Sequence, residues 1–102
     1  VKPNLVNGET FSIQTIFTEG SFLSSGILEF PPESIKPPRN SSKHALVFYV
    51  IEGVVEVSIH NGSFVIGTGG QFIVPRGNQY SIRSASSENS RLFFCHCKDT
   101  LS

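Results

Sequence analysis

Methionine and tryptophan are absent from this chain of 102 residues, only 2 cysteines occur, and the 8 lysines and arginines are offset by 8 aspartates and glutamates. Each shortage excludes something. Without net charge the domain has no long-range field to gather nucleic-acid phosphates or an anionic lipid surface, so neither direct nucleic-acid binding nor membrane binding is expected of it. No stretch approaches the ~18 uninterrupted apolar residues of a membrane-spanning helix, and the first residues lack the charged-then-apolar order of a secretory leader. A start at Val1 with no methionine anywhere points to a domain cut from a longer protein. Helical patterning is missing too, since no window of about eleven or more residues repeats its apolar side chains at the helical period.

The cysteines, Cys95 and Cys97, flank His96 in the apolar run RLFFCHC. On a strand both thiols point to one face with Cα atoms about 6.6 Å apart and side chains parallel, at the edge of disulfide geometry. His96 points to the other face, which argues against a Cys-His-Cys metal clip. Buried, reduced thiols serving as small apolar side chains are expected, and they fit a reducing compartment. The triplets beginning at Asn40 and Asn61 match the glycosylation acceptor pattern, a weak signal because such triplets arise by chance. Among the basic residues, Lys36, Arg39 and Lys43 gather in one proline-rich segment, where a solvated loop is favoured over an anion site.

What the chain does have is β-branched and aromatic residues alternating in short runs, separated by glycine, proline, asparagine and serine. Strands are predicted near residues 10–17 (TFSIQTIF), 25–30 (SGILEF), 45–51 (ALVFYVI), 54–60 (VVEVSIH), 63–66 (SFVI), 71–74 (QFIV), 79–83 (QYSIR) and 91–97 (RLFFCHC). The intervening PPESIKPPRNSS contains four prolines, none able to donate to a ladder, and reads as a long loop. Asn61-Gly62 between two strand-like runs is a hairpin signal, because both central residues of a primed turn need positive φ. The succession reads as a meander of short strands in one all-β domain spanning residues 1–102, a sandwich or small barrel. A chain of this length buries roughly 65% of its unfolded surface, enough for one core with little to spare.

VVEVSIH sorts into Val55, Val57 and Ile59 on one side and Glu56, Ser58 and His60 on the other, whereas ALVFYVI and LFFC are apolar on both. A barrel has one inside. Loops or the N-terminal segment can cover the second face; a second subunit is favoured for a domain this small.

The stretch GGQFIVPRGNQY, with FYVIEGVVEV before it, resembles the two motifs of the cupin superfamily, small double-stranded β-helix (jelly-roll) barrels. Gly69, Pro75, Gly77 and Tyr80 stand on the second motif, where the position of Tyr80 is normally a metal-binding histidine. The first motif, anchored on Gly53, puts its glutamate on Leu46 and its histidines near Asn40 and Ser42. Zinc, iron or manganese needs about three converging nitrogen, oxygen or sulfur donors, and a lone phenol does not supply them. The resemblance therefore implies a cupin without metal or other cofactor, whose turn keeps its glycines and proline for backbone reasons.

SFLSSGILEFPP, LVFYVIEGVVEVSIHNGSFVIGTGGQFIVPRGNQYSIRS and SRLFFCHCKD together resemble, over about residues 20 to 98, the C-terminal cupin domain of the centromere protein CENP-C family of inner-kinetochore scaffolds. The CHC element departs from that pattern. The resemblance implies a nuclear, centromere-located module with no catalytic residues, taken from the C-terminal end of a DNA-binding scaffold used in chromosome segregation. Its partners would be a second copy, making a homodimer, and in some members other kinetochore or centromere-associated proteins.

If Leu46 holds an old ligand position it faces inward with Phe48 and Val50, leaving Val47, Tyr49 and Ile51 facing outward as a dimer interface. Burying three such side chains is worth about 1.5–3 kcal/mol each, doubled by a two-fold axis. On the last strand Phe93, Cys95 and Cys97 share one face and Leu92, Phe94 and His96 the other; parity alone does not say which looks outward, and the interface is assigned to Phe93 and Cys95. The alternative is a metal-free cupin with ligand-sensing or sugar-epimerase-like activity, in which His44, sharing the parity of Leu46, would meet Tyr80 at the barrel mouth for general acid and base work. A sensor needs a roomy interior, whereas Leu46, Phe48, Val50 and Ile82 are expected to fill a small barrel.

Overall fold

A computed structural model describes residues 4–5, 12–20, 22–32, 34–60 and 62–98, and among these there are strands and turns but no helix. The strands are β1 (Asn4–Leu5), β2 (Ser12–Glu19), β3 (Leu23–Phe30), β4 (Ile35–Asn40), β5 (His44–Glu52), β6 (Val54–Ile59), β7 (Gly62–Gly67), β8 (Gln71–Val74), β9 (Gln79–Ser84) and β10 (Ser90–Lys98). They form a six-stranded sheet in the order β1-β2-β3-β10-β5-β8 and a four-stranded sheet in the order β4-β9-β6-β7. The all-β barrel expected from the strand pattern is present; the meander is not. From β5 onward the chain passes between layers at every connection except β6 to β7, the jelly-roll arrangement.

Alternation closes the two sheets on one another. Leu46, Phe48 and Val50 of β5, Phe72 and Val74 of β8, and Leu92 and Phe94 of β10 are buried from one side, Val55 and Val57 of β6 with Tyr80 and Ile82 of β9 from the other. Phe48 sits at the centre, its ring 4.8 Å from Phe72, 6.1 Å from Tyr80 and 6.5 Å from Phe94. Each such side chain contributes about 1.5–3 kcal/mol by leaving water, so this interleaved layer is what the domain's stability rests on.

The proline-rich segment is a loop only in part. Ile35–Asn40 forms β4, the edge of the four-stranded sheet, paired among the described residues only with β9. An edge strand tolerates proline because one of its two hydrogen-bonding sides has no neighbour to serve. Its register shifts so that Lys36 lies opposite Ile82 and Arg39 opposite Tyr80, which places Pro37 and Pro38 in a bulge. Directly opposed residues share a face, so the bulge turns both Lys36 and Arg39 toward the side of the sheet that Ile82 and Tyr80 occupy. Lys36 is consequently buried, which overturns the solvated-loop reading for that residue.

The β6–β7 hairpin also departs from expectation by one residue. Ile59 pairs with Gly62, so the two-residue turn is 60–61 and Gly62 belongs to β7. His60 takes φ 54°, and histidine and asparagine are among the side chains that enter the left-handed region with least strain; Asn61 itself lies outside the described residues.

Gly77 closes the turn before β9 at φ 75° and donates its N–H to the carbonyl of Ser42 at 2.9 Å. A Cβ there would meet nothing within 4 Å, so the cost of a side chain is purely conformational. Gly77→Val is expected to lose about 1–2 kcal/mol or more and lower the melting temperature by roughly 5 °C or more, while Gly77→Asn recovers most of the loss. Circular dichroism melting of the two variants checks this, and an unshifted valine curve would show that the turn accepts a β-branched residue.

Candidate functional site

Two features stand apart from the core: the outer face of the six-stranded sheet and the open mouth of the barrel. On the outer face, cross-strand register sets Val47 between Cys95 and Ile73, and Tyr49 between Phe93 and Gln71, with Ile27 of β3 next to Phe93. Directly opposed side chains lie side by side, so Ile73, Val47, Tyr49, Phe93 and Ile27 make one apolar strip across four strands. Its members are exposed by 60% at Ile73, 43% at Tyr49, 39% at Phe93 and 37% at Val47, a large apolar load for water to carry. Leu92 and Phe94 are buried, so Phe93 and Cys95 take the outer side, a choice that strand parity alone left open. Ile51 is half-buried at the end of the strip, where the pairing slips from Arg91 opposite Glu52 to Leu92 opposite Val50.

Ile73 was not among the residues assigned from sequence, although its signal was present: QFIV, like ALVFYVI, is apolar in consecutive positions and so shows an apolar side chain to both faces. The thiols are free and half-buried rather than fully buried as expected, because they share this outer face. Loss of water around Cys95 pushes its thiol pKa up, and the neighbouring Cys97 adds to the effect.

The mouth lies at the opposite side of the same strands. Ser41 is its clasp: the backbone N–H of Ser41 donates to Asn78 O at 2.9 Å, its hydroxyl donates to Pro75 O at 2.7 Å and accepts from Asn78 N–H at 3.1 Å. The turn holding Pro75 and Gly77 is thereby docked on the segment joining β4 to β5. Gly69, at φ 88°, performs the same service further along, donating its N–H to Val50 O at 2.9 Å.

The clasped loops frame a cavity of about 340 Å³. Asn40, Ser42, Leu46 and Tyr80, the positions matched to the cupin ligands, all line it. These positions share one cavity but do not supply a donor set: Leu46 offers no donor, and burial holds the Tyr80 phenol pKa above its usual value, with Arg39 opposing that shift. His44 and His96 also line the cavity, but their rings stack on each other at 4.7 Å instead of converging on a third donor. Among the described residues no group of three histidine, cysteine or acidic side chains is placed to hold a metal ion. The residues present do not fit the metal of the wider fold family. The interior is filled as expected around Phe48, Val50 and Ile82, yet the mouth is roomier than side-chain volumes suggested.

The fold is that of a cupin. Over 99% of its length the chain superimposes on 71% of the solved Schizosaccharomyces pombe Cnp3 cupin domain with a TM-score of 0.91 and 32% identity. Residues 11–96 match the family model described as Mif2/CENP-C like, and the chain belongs to that family. It is 32% identical over 96 residues to the inner kinetochore subunit cnp3 of Schizosaccharomyces pombe, covering 94% of this chain and 15% of that protein. It is 34% identical over 92 residues to human centromere protein C, covering 90% of this chain and 10% of that one. The chain thus spans a small fraction of the length of these relatives.

His96 provides a test of the mouth's electrostatics. Desolvation, with help from His44 and Arg39, holds its pKa below the ordinary 6.5. In the unfolded chain the imidazole takes up its proton near the ordinary value, so as pH falls from there toward the folded-state pKa the unfolded chain binds more protons and stability drops. The domain should therefore melt lower at pH 5.5 than at pH 7.5, and His96→Gln should reduce that difference; paired calorimetric scans that give the variant the same pH dependence as the parent would contradict the assignment.

Proposed function

We propose that the outer face joins two copies of the chain, so that the domain acts as the homodimerisation module of an inner-kinetochore scaffold at the centromere, in the nucleus, and presents its remaining surface for docking other kinetochore proteins. The observation carrying this is the apolar strip formed by Ile73, Val47, Tyr49, Phe93 and Ile27, half of it in water in a single chain. Membership of the Mif2/CENP-C-like family supports it, since relatives in that family are named inner kinetochore and centromere proteins. No catalytic role is assigned: His44 lines the mouth with Tyr80, but its ring is stacked on that of His96. The role is mechanical.

A permanent dimer through this strip should bury at least about 1,200–2,000 Å² in total with an apolar centre. Two-fold symmetry brings each mutation to the contact twice. Tyr49→Glu would set two unpaired charges there, a penalty on the order of 3–5 kcal/mol or more than 100-fold in dimer affinity, while leaving the inward layer untouched. Sedimentation equilibrium should show the parent as a dimer at micromolar concentration and the variant as a monomer with an unchanged far-ultraviolet spectrum. A dimeric variant would move the interface elsewhere; a monomeric parent would end the dimerisation reading.

A further inference from the structure

We infer that Cys95 and Cys97 form a two-thiolate site for a soft monovalent cation of the Cu(I) kind, and that filling it opposes the packing of a second copy on the outer face. The first part stands on the thiols alone; the second rests on the proposed dimer.

Neither the core nor the apolar strip requires two sulfurs near the end of β10. Both are free and half-buried. Register sets Cys95 between Ser25 and Val47, and Cys97 between Leu23 and Ala45, on the outer face. Alternate residues of a strand lie about 6.6 Å apart with parallel side chains, and the Cys97 thiol is near enough to act on that of Cys95. This spacing selects what can join them. A disulfide would draw the sulfurs to about 2.05 Å, across the direction both side chains take. An ion with metal–sulfur bonds of about 2.3 Å spans sulfurs about 4.6 Å apart, so each has to lean by only about 1 Å.

Donor count then selects the ion. Zinc takes four ligands, and calcium and magnesium take oxygens. Here His96 turns away to line the mouth, and among the described residues no three histidine, cysteine or acidic side chains are grouped to hold a metal ion. A soft ion satisfied by two thiolates in line is the class that fits. Ser25, directly across from Cys95, sets a hydroxyl beside the sulfur, while Val47, Ala45 and Leu23 surround the pair with apolar groups. Binding exchanges two protons for one cation: Cu(I) and two thiols give a Cu(SR)2 anion and two protons. Burial, which raises the Cys95 thiol pKa, keeps it protonated and slow to oxidise until the cation arrives. The anion so formed lies beside Val47 on the strip, and an unpaired charge there is costly to bury against an apolar partner. Cation and second copy therefore compete for one face.

The test is an anaerobic titration of the domain with Cu(I) supplied from a coloured bathocuproine-type chelator, read by the loss of the chelator's colour. The parent should withdraw one ion per chain, with an affinity that rises by up to about a hundredfold per pH unit below the thiol range because two protons leave. Cys95→Ser and Cys97→Ser should each weaken binding by about a hundredfold or more, since one of two tethered donors is lost, with the far-ultraviolet spectrum kept. His96→Gln should bind as the parent does. No withdrawal of Cu(I), unsaturable uptake, undiminished binding in a serine variant, or loss of binding in His96→Gln would each overturn the site. Should one serine variant fail to fold, the other variant and the pH slope decide. For the second part, one equivalent of Cu(I) should shift the parent from dimer to monomer in sedimentation, and Tyr49→Glu should bind Cu(I) at least as tightly as the parent. A parent that carries Cu(I) and stays dimeric overturns the competition. A parent that is monomeric without Cu(I) ends the dimer reading and the competition together, while the titration still decides the site.

Discussion

The pairing of β5 with β10 runs from His44 opposite Lys98 to Glu52 opposite Arg91, placing two strands that are apolar on both sides near the middle of the six-stranded sheet. One side of that pair, with Phe48 at its centre, packs against the four-stranded sheet in the core. The other side is what remains when the core is complete. Because the period of a strand is two residues, the sequence cannot improve one side without leaving the other as it is, and a one-residue slip would exchange them. The barrel, the outer strip and the open mouth all follow from that pair: Leu46 and His96, opposed on it, mark where the packed interior ends and the cavity begins.

Much of this was legible in the residues. Alternation in VVEVSIH and double-sided apolarity in ALVFYVI depend only on local pattern, and both survive folding unchanged. Gly69, Pro75, Gly77 and Tyr80 were singled out by resemblance to a cupin motif rather than by local pattern; the positive φ of Gly69 and Gly77 is the backbone demand that goes with the glycines there. What escaped was non-local. Four prolines mark a segment as unfit for the middle of a sheet, but whether it becomes a loop or an edge depends on whether a partner strand, here β9, has a free side. The face of β10 depended on β3 and β5 together, and the room at the mouth on how β4, β5, β9 and β10 come together around it; neither is a property of any single run. The hairpin turn moved by one residue because His60 accepts a positive φ that a glycine-centred rule reserves for others.

The frame of the mouth does not depend on what lines it. The loops around it are held by Ser41, whose hydroxyl serves both the Pro75 carbonyl and the Asn78 amide, and by the Gly77 amide on the Ser42 carbonyl. These bonds are made by backbone and by residues beside Leu46 and Tyr80 rather than by those side chains. Leu46 and Tyr80 therefore extend the apolar core without being needed to hold the frame, and burial keeps the Tyr80 phenol neutral.

Pro37 and Pro38 have a further consequence, which concerns the form of assembly available to the molecule. A sheet edge is a row of unpaired donors and acceptors on which another chain can add a strand, and addition of that kind repeats from copy to copy without closing. Two adjacent prolines remove the donors from the middle of β4 and the bulge bends what is left, so this edge of the four-stranded sheet makes a poor template. Growth into open-ended fibres is disfavoured there, and an association that does occur is directed to side-chain faces, where a two-fold contact satisfies both partners and stops.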